Sequence, residues 1–417
     1  MPPTAGEEMS CHLRDYWRTL LCTMIITLLA IIYLCFNITV THTSIFPGST
    51  VGAEYNEEQV HKDINGNNKS HVMLLTMGRS GSSFTAELIA HNEHVFYTYE
   101  PLSFLSRDEE KALVPQQFQT THIDDFSKRI ITSFFTCSFD SETYKSLINF
   151  HLRQSRSTEE LYRCFQSPNT GIEHLKCYFK FLEECRNHEL TLVKTIRFPV
   201  KWAEDLMVRF PNLKIIYLVR DPRAVLNSQS KVFTHLDLIG NTDNVADYHC
   251  RSLEQDMKFL QYLMEDFPSR VKAVRYEHGA TSPADYAEEL YDFLDLPVTE
   301  ELMNFVKTLT SNESKDAAKR EQTVHKILTR SKGNVKRGKR KEKIDPYSIH
   351  RDDPRYAMNH WRYEIGIDRA KIIDNHCGHL YQQLGYRRVT TQRDLENTAE
   401  ISMVVEPHEG GILKKKS

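Results

Sequence analysis

Two short stretches of this 417-residue chain combine residue types that can hold anionic oxygens. The first, Met77-Gly78-Arg79-Ser80-Gly81-Ser82-Ser83-Phe84, follows the apolar run VMLLTM and precedes the helical pattern SSFTAELIAHN. Small residues let backbone N–H groups curve around an oxygen, while the start of a helix adds unsatisfied donors and partial positive charge. The serine hydroxyls add further donors, and Arg79 adds a full charge. No Lys-Ser/Thr pair follows the last glycine, so this is not a Walker A loop, and magnesium-dependent nucleotide hydrolysis is disfavoured. The second stretch, Arg220-Asp221-Pro222-Arg223-Ala224-Val225-Leu226-Asn227-Ser228, directly follows the apolar run LKIIYLV. Asp221 can cap a helix whose first residue is Pro222. Arg220 then lies at the carboxyl end of a strand, where ligands of open α/β sheets bind, and Ser228 lies about two turns into the helix. Two such elements imply a ligand that is anionic at two places. Lys194 and Arg197, at the end of LTLVKTI, are further cations for a donor or acceptor anion; a surface ion pair is the plainer alternative.

The elements that must position these residues alternate. Buried apolar strands followed by helices predict an α/β domain with a central parallel sheet covered on both faces, starting at about His71. Upstream, residues 20–36 (LLCTMIITLLAIIYLCF) carry neither charge nor proline and approach the roughly 20 residues of a membrane-spanning helix. Arg14 and Arg18 precede this run and no Lys or Arg follows until Lys62, which orients residues 1–19 toward the cytoplasm and the rest toward a lumen. A cleavable signal peptide is the rival, although the run is long for one and lacks a clear cleavage site. Residues 37–70 read as a flexible stem, and residues 391–417 as a polar tail. Between them, residues 326–343 hold nine Lys or Arg against one Glu and cannot be core.

A lumenal placement gives meaning to other features. Asn68 and Asn312 begin N-glycosylation triplets. Cys137, Cys164, Cys177, Cys185, Cys250 and Cys377 follow the apolar run and can pair in many ways, among which the sequence does not choose. With 26% charged residues and a formal charge of −3, the chain is not a nucleic-acid-coating protein, and no cysteine or histidine spacing argues for a metal.

The stretches TMGRSGSSF and YLVRDPRAVLNSQ resemble the 5'-phosphosulfate and 3'-phosphate loops of Golgi carbohydrate sulfotransferases, in particular the galactose/N-acetylglucosamine/N-acetylgalactosamine 6-O-sulfotransferase family. VFYTYEPL, RYEHGATSPADYAEELYDFLDLP and HWRYEIGIDRAKIIDNHCGHLYQQLGYR extend the resemblance over about residues 71 to 388. It implies a P-loop-like sheet in a sulfotransferase domain at 71–390, and 3'-phosphoadenosine 5'-phosphosulfate as donor with no metal. It also implies a glycan or glycosaminoglycan acceptor and a single-pass Golgi membrane protein, for which a homodimer is allowed. Gly78 to Phe84 would serve the 5' side of the donor, and Arg220 to Ser228 the 3' side. Gly78 departs from the bulkier residue of many relatives, and the basic segment is longer and more charged than expected. Arg79 would stabilise charge on the sulfuryl group, and Glu100, whose family counterpart lies near the donor, would be the base for the acceptor hydroxyl. His91 and His94 are the next candidates. A Golgi glycosyltransferase would share the anchor but usually needs an Asp-x-Asp site, which the sequence lacks. A tethered polyanion-binding module using residues 326–343 is the non-enzymatic rival.

Overall fold

A computed structural model describes residues 69–105, 123–168, 171–232, 240–310 and 358–397. The expected anchor, the stem up to residue 68, Asn68, Asn312 and the basic segment 326–343 lie outside these residues. Among the described residues no helix is long and apolar enough to cross a membrane.

The chain begins with β1 (Ser70–Thr76), α1 (Ser82–Ala90) and β2 (Val95–Tyr99), followed by α2 (Ile123–Thr136), α3 (Arg156–Phe165) and α4 (Gly171–Asn187). The middle comprises β3 (Leu190–Thr195), α5 (Ala203–Arg209), β4 (Leu213–Val219), α6 (Pro222–Val232) and the long α7 (Thr242–Asp266). β5 (Val271–Arg275) leads into α8 (Tyr276–Thr281), α9 (Pro283–Leu294) and α10 (Glu300–Thr310), and the described chain closes with α11 (Ile367–Cys377), α12 (Tyr381–Leu384) and α13 (Gln392–Glu396).

All five strands are parallel, in the order β2-β3-β1-β4-β5. Residue alternation explains why both faces are covered. Val72 and Leu74 of β1 join Tyr97, Ile216 and Leu218 in a core under α1, α9 and α10. Met73 and Leu75 point the other way, into a larger core with Phe96, Ile215 and Tyr217 that α2, α7 and α11 complete through Phe134, Leu260 and Ile373. Strands apolar on both faces need helices on both sides, as the sequence predicts.

The register aligns the carboxyl ends of the strands. Tyr99 pairs with Lys194, Leu75 with Thr195, Thr76 with Leu218, and Val219 with Arg275. The segments after Thr76, Tyr99, Thr195 and Val219 therefore leave the sheet at one edge.

The six cysteines resolve into three disulfides, Cys137–Cys185, Cys164–Cys177 and Cys250–Cys377. The last fastens α11 to α7 and so ties the end of the domain to its middle. The polar segment expected to be a tail from residue 391 differs from that expectation at its start. Thr391 and Asp394 form a reciprocal capping box, Leu395 is buried, and Arg362 donates to the Asn397 carbonyl at 2.7 Å. Its polarity belongs to the outer face of a packed helix.

Beside Cys250 on α7, His249 is buried, and burial pushes its imidazole down from 6.5 to about 4. Its folded value lies below its unfolded one, so the stability it contributes is present at neutral pH and lost as pH falls through that window. Acidification from pH 7 to 4 should remove about 3 kcal/mol through this residue. Urea unfolding of the wild type and His249→Gln at both pH values checks this: the variant should show the smaller pH dependence, and equal slopes would contradict it.

Candidate active site

The edge of the sheet is built from five strand ends. After β1 the chain turns through Arg79, at φ 75°, and Gly81, at φ 89°, before α1 starts at Ser82 with no side-chain cap. Gly81 meets two demands at once. Its backbone lies in the left-handed region, and a Cβ there would come within 2.1 Å of the Tyr276 ring. The uncapped start of α1 leaves its first-turn amides available as anion donors.

The second loop is joined to the first by side chains. Arg220 donates to the Arg79 carbonyl at 3.0 Å, Arg79 Nε donates to Ser228 Oγ at 3.1 Å, and Gln229 donates to the Gly78 carbonyl at 2.9 Å. Arg220 also lies over the Tyr276 ring, 4.5 Å from its centroid. Arg79, Arg220 and Ser228 therefore converge on one place.

The other members of the two expected loops have different tasks. Asp221 caps α6 by accepting from the Arg223 amide at 2.9 Å, and Arg223 is fully buried. The Arg223 guanidinium pairs with Asp221 at 2.8 Å and Asp374 at 3.2 Å, with the Trp361 and Tyr381 rings about it. Burial alone would raise the Asp221 carboxyl, but the Arg223 charge and hydrogen bonds outweigh it and hold the carboxyl below its ordinary value. Pro222, Ala224, Val225 and Leu226 are buried, and Asn227 donates to Glu364 at 2.7 Å. Against the expectation that Arg220 to Ser228 all face the donor, the side chains of this stretch between Arg220 and Ser228 anchor the helix. In the first loop Ser80 is buried, while Ser83 Oγ lies 3.4 Å from the Tyr99 hydroxyl. Phe84 packs against the core under α1.

After β2 and β3 the edge carries an ion-pair cluster. Glu100 has φ 48° and is 2% exposed. One carboxylate oxygen accepts from Lys194 at 2.7 Å, the other from Arg197 at 2.8 Å, and the Ile196 amide donates to both. Burial alone would raise this carboxyl, but Lys194, Arg197 and the hydrogen bonds outweigh it and hold the value low. The base expected at Glu100 is thus, as placed here, a weakly basic carboxylate closed by two cations. Lys194 is closed in as well, with its ammonium 4.1 Å from the Tyr99 ring centroid. Arg197 keeps 27% of its side chain exposed, so of the two it is the one able to meet a ligand anion. His91 and His94 fall at the opposite edge: His91 follows the last turn of α1 and stacks on Phe305 at 4.1 Å, and His94 precedes the first residue of β2.

Sequence reasoning missed Tyr276 and Glu277. Glu277 accepts from the Asp221 amide at 2.9 Å and from the Tyr386 hydroxyl at 3.0 Å, and burial pushes its carboxyl up. The available signal was position: Arg275-Tyr276-Glu277 stands where a strand ends, beside the end of β4.

An uncapped helix start joined to an arginine and a serine, at the carboxyl edge of a parallel sheet, defines an α/β protein suited to a doubly anionic ligand. The chain belongs to the sulfotransferase family, whose model matches residues 71–300. It is similar to carbohydrate sulfotransferase 1 of Danio rerio, 26% identical over 391 residues, which span 84% of this chain and 85% of that protein. The Rattus norvegicus protein of the same name is 27% identical over 379 residues, spanning 81% and 84%. Among solved structures, the sulfotransferase domain from the curacin biosynthetic pathway aligns at 20% identity over 57% of this chain and 77% of that one, with a TM-score of 0.35.

Gly81→Ala should destabilise the domain by about 1–3 kcal/mol, the range for forcing a side chain into strained backbone and close contact. Tyr276→Ala on the same background should recover part of that loss, because the overlap involves that ring. Additive costs in a urea-denaturation cycle would show that the ring contact is irrelevant.

Proposed function

We propose that this protein transfers a sulfuryl group from 3'-phosphoadenosine 5'-phosphosulfate to a sugar hydroxyl, the 6-hydroxyl of galactose, N-acetylgalactosamine or N-acetylglucosamine in a glycan. The observation that carries the reading is the joining of the two loops through Arg220, Arg79 and Ser228. The donor is anionic at its 5' and 3' ends, and the two loops offer donors for two such ends from one continuous surface. The residues fit it: the start of α1 is uncapped, Gly81 leaves room only for backbone against Tyr276, and Arg220 and Ser228 share Arg79 as a common neighbour. Family membership supports sulfuryl transfer, and the names of the relatives support a carbohydrate acceptor.

In this reading the loop amides and Arg79 bind the sulfuryl and 5'-phosphate oxygens and stabilise the charge that grows as the S–O bond breaks. Arg220 and Ser228 hold the 3'-phosphate. Arg197 faces either the sulfuryl group or an acceptor anion. Glu100, with both oxygens committed, positions Lys194 and Arg197. A single-pass type II Golgi anchor in residues 20–36 suits the three disulfides and a lumenal acceptor. The chain lacks Asp-x-Asp, so the sequence favours sulfuryl over glycosyl transfer.

Two measurements test this. Arg220→Ala and Ser228→Ala should each weaken binding of adenosine 3',5'-bisphosphate by about 1–3 kcal/mol in calorimetry, the range for hydrogen bonds to charged groups. Unchanged affinity in both folded variants would remove the 3'-phosphate assignment. Glu100→Gln should lower both kcat and donor affinity, because it releases two cations at once. If kcat alone falls, by roughly 10²-fold, Glu100 is the base after all and its positioning role is wrong.

A further inference from the structure

A short turn-rich segment with no motif of its own runs beside the site. Phe150–Gln154 forms a 3₁₀ turn fixed to the end of β2 by its preceding residue. Asn149 donates to the Glu100 carbonyl at 2.9 Å, and its side-chain oxygen accepts from Ser103 at 2.6 Å and from the His151 amide at 3.0 Å. Further along, the Ser155 hydroxyl donates to the Tyr97 carbonyl, and the Tyr97 amide donates to Ser157 Oγ at 3.0 Å. The segment is thus held on a rigid strand end, where a functional side chain can be kept in place.

His151 is the residue this frame presents. Its ring stacks on Tyr99, centroids 6.0 Å apart and planes 20° apart. The Tyr99 hydroxyl approaches Ser83 of the first loop, and the Tyr99 ring carries the Lys194 ammonium. One aromatic ring therefore connects the imidazole, the donor loop and the ion-pair cluster. His151 is half-buried, and neither of its ring nitrogens is engaged in a hydrogen bond among the described residues. Glu100, by contrast, has both oxygens committed.

We propose that His151 is the base of the transfer. This rests on the sulfuryl-transfer reading above. The acceptor oxygen forms a bond to sulfur while the bond from sulfur to the bridging oxygen of the 5'-phosphate breaks, its electron pair leaving with the phosphate. The acceptor's hydroxyl proton moves to a ring nitrogen of His151, which afterwards releases it to solvent. The products are the sugar sulfate and adenosine 3',5'-bisphosphate.

The surroundings keep the imidazole ready for this. Burial lowers its pKa below the ordinary value, Glu100 opposes that, and Arg197, Lys194 and Arg153 reinforce it. Phe150 and Tyr99 supply the apolar contacts. A neutral ring at neutral pH can accept a proton, and its protonation in acid would stop the reaction.

The test compares wild type, His151→Gln, His151→Phe and His151→Ala. It measures sulfate transfer from labelled donor to desulfated glycans between pH 5 and 8, and adenosine 3',5'-bisphosphate affinity by calorimetry. Wild type should lose kcat toward acid with an apparent pKa below that of free imidazole. His151→Gln and His151→Phe should lose roughly 10² to 10⁴-fold in kcat with donor affinity within about twofold, and lack the acid limb. Added imidazole should restore part of the activity of His151→Ala. The proposal is overturned if either folded variant keeps wild-type kcat and its acid limb, or if donor affinity falls in step with activity in both. A wild type that neither binds the bisphosphate nor transfers sulfate would instead overturn the underlying reading.

Discussion

Arg220 donates to the carbonyl of Arg79 while Arg79 donates to Ser228, and this exchange makes two loops separated by 141 residues behave as one surface. The sheet makes it geometrically available, because Thr76 of β1 pairs with Leu218 of β4 and the next residues of both strands leave the sheet side by side. The hydroxyl of Thr76 adds a 2.6 Å bond to the Leu218 carbonyl at the point of departure. Arg79 also occupies left-handed backbone, a conformation that costs a non-glycine residue of order 1 kcal/mol or more and persists only where neighbours fix it. Glu100 shares this property at the same edge, its amide donating to the Lys194 carbonyl at 2.8 Å and its own carbonyl accepting from Ser103 and Asn149. Two strained residues held by dense hydrogen bonding mark where this fold gives up local comfort for a defined arrangement of charge.

That arrangement needs support from the end of the chain. Arg223 is buried between Asp221 and Asp374, and Asp374 also accepts from the Tyr381 hydroxyl at 2.7 Å and the Val389 amide at 2.7 Å. Tyr386 reaches Glu277, which in turn accepts from the amide of Asp221. The residues beyond 358 thus hold the second loop from behind, and the Cys250–Cys377 disulfide fastens them to α7. Removing one partner of a buried ion pair leaves an uncompensated charge at a cost of roughly 3–5 kcal/mol, so these contacts specify the loop position even where their net stabilisation is small.

The strands, the start of α1 and the cap of α6 were readable in the sequence because they depend on local chemistry. LKIIYLV is apolar on both faces and becomes β4 with the same bounds, and Asp221 before Pro222 caps as its residue type dictates. What escaped depends on contacts distant in sequence. Arg223 has the charge of a phosphate ligand, but Asp374, 151 residues away, joins the neighbouring Asp221 in turning it inward. Glu100 has the type of a base, and only the return of β3 beside β2 closes it with Lys194 and Arg197. His91 and His94 lie near the first loop in sequence, but a helix of nine residues at about 1.5 Å each carries them to the other edge. Tyr276 and His151 carry no spacing signal of their own and become visible only when strand ends are aligned.

In the proposed reaction one edge of the parallel sheet holds a doubly anionic donor and passes its sulfuryl group to a sugar. A direct test incubates the protein with 3'-phosphoadenosine 5'-[³⁵S]phosphosulfate and a panel of desulfated glycans, then digests the products and locates the label by disaccharide analysis. Label is expected on the 6-hydroxyl of galactose, N-acetylgalactosamine or N-acetylglucosamine, with adenosine 3',5'-bisphosphate formed in equal amount. Bisphosphate binding without any labelled sugar, or label on a non-carbohydrate acceptor alone, would contradict it.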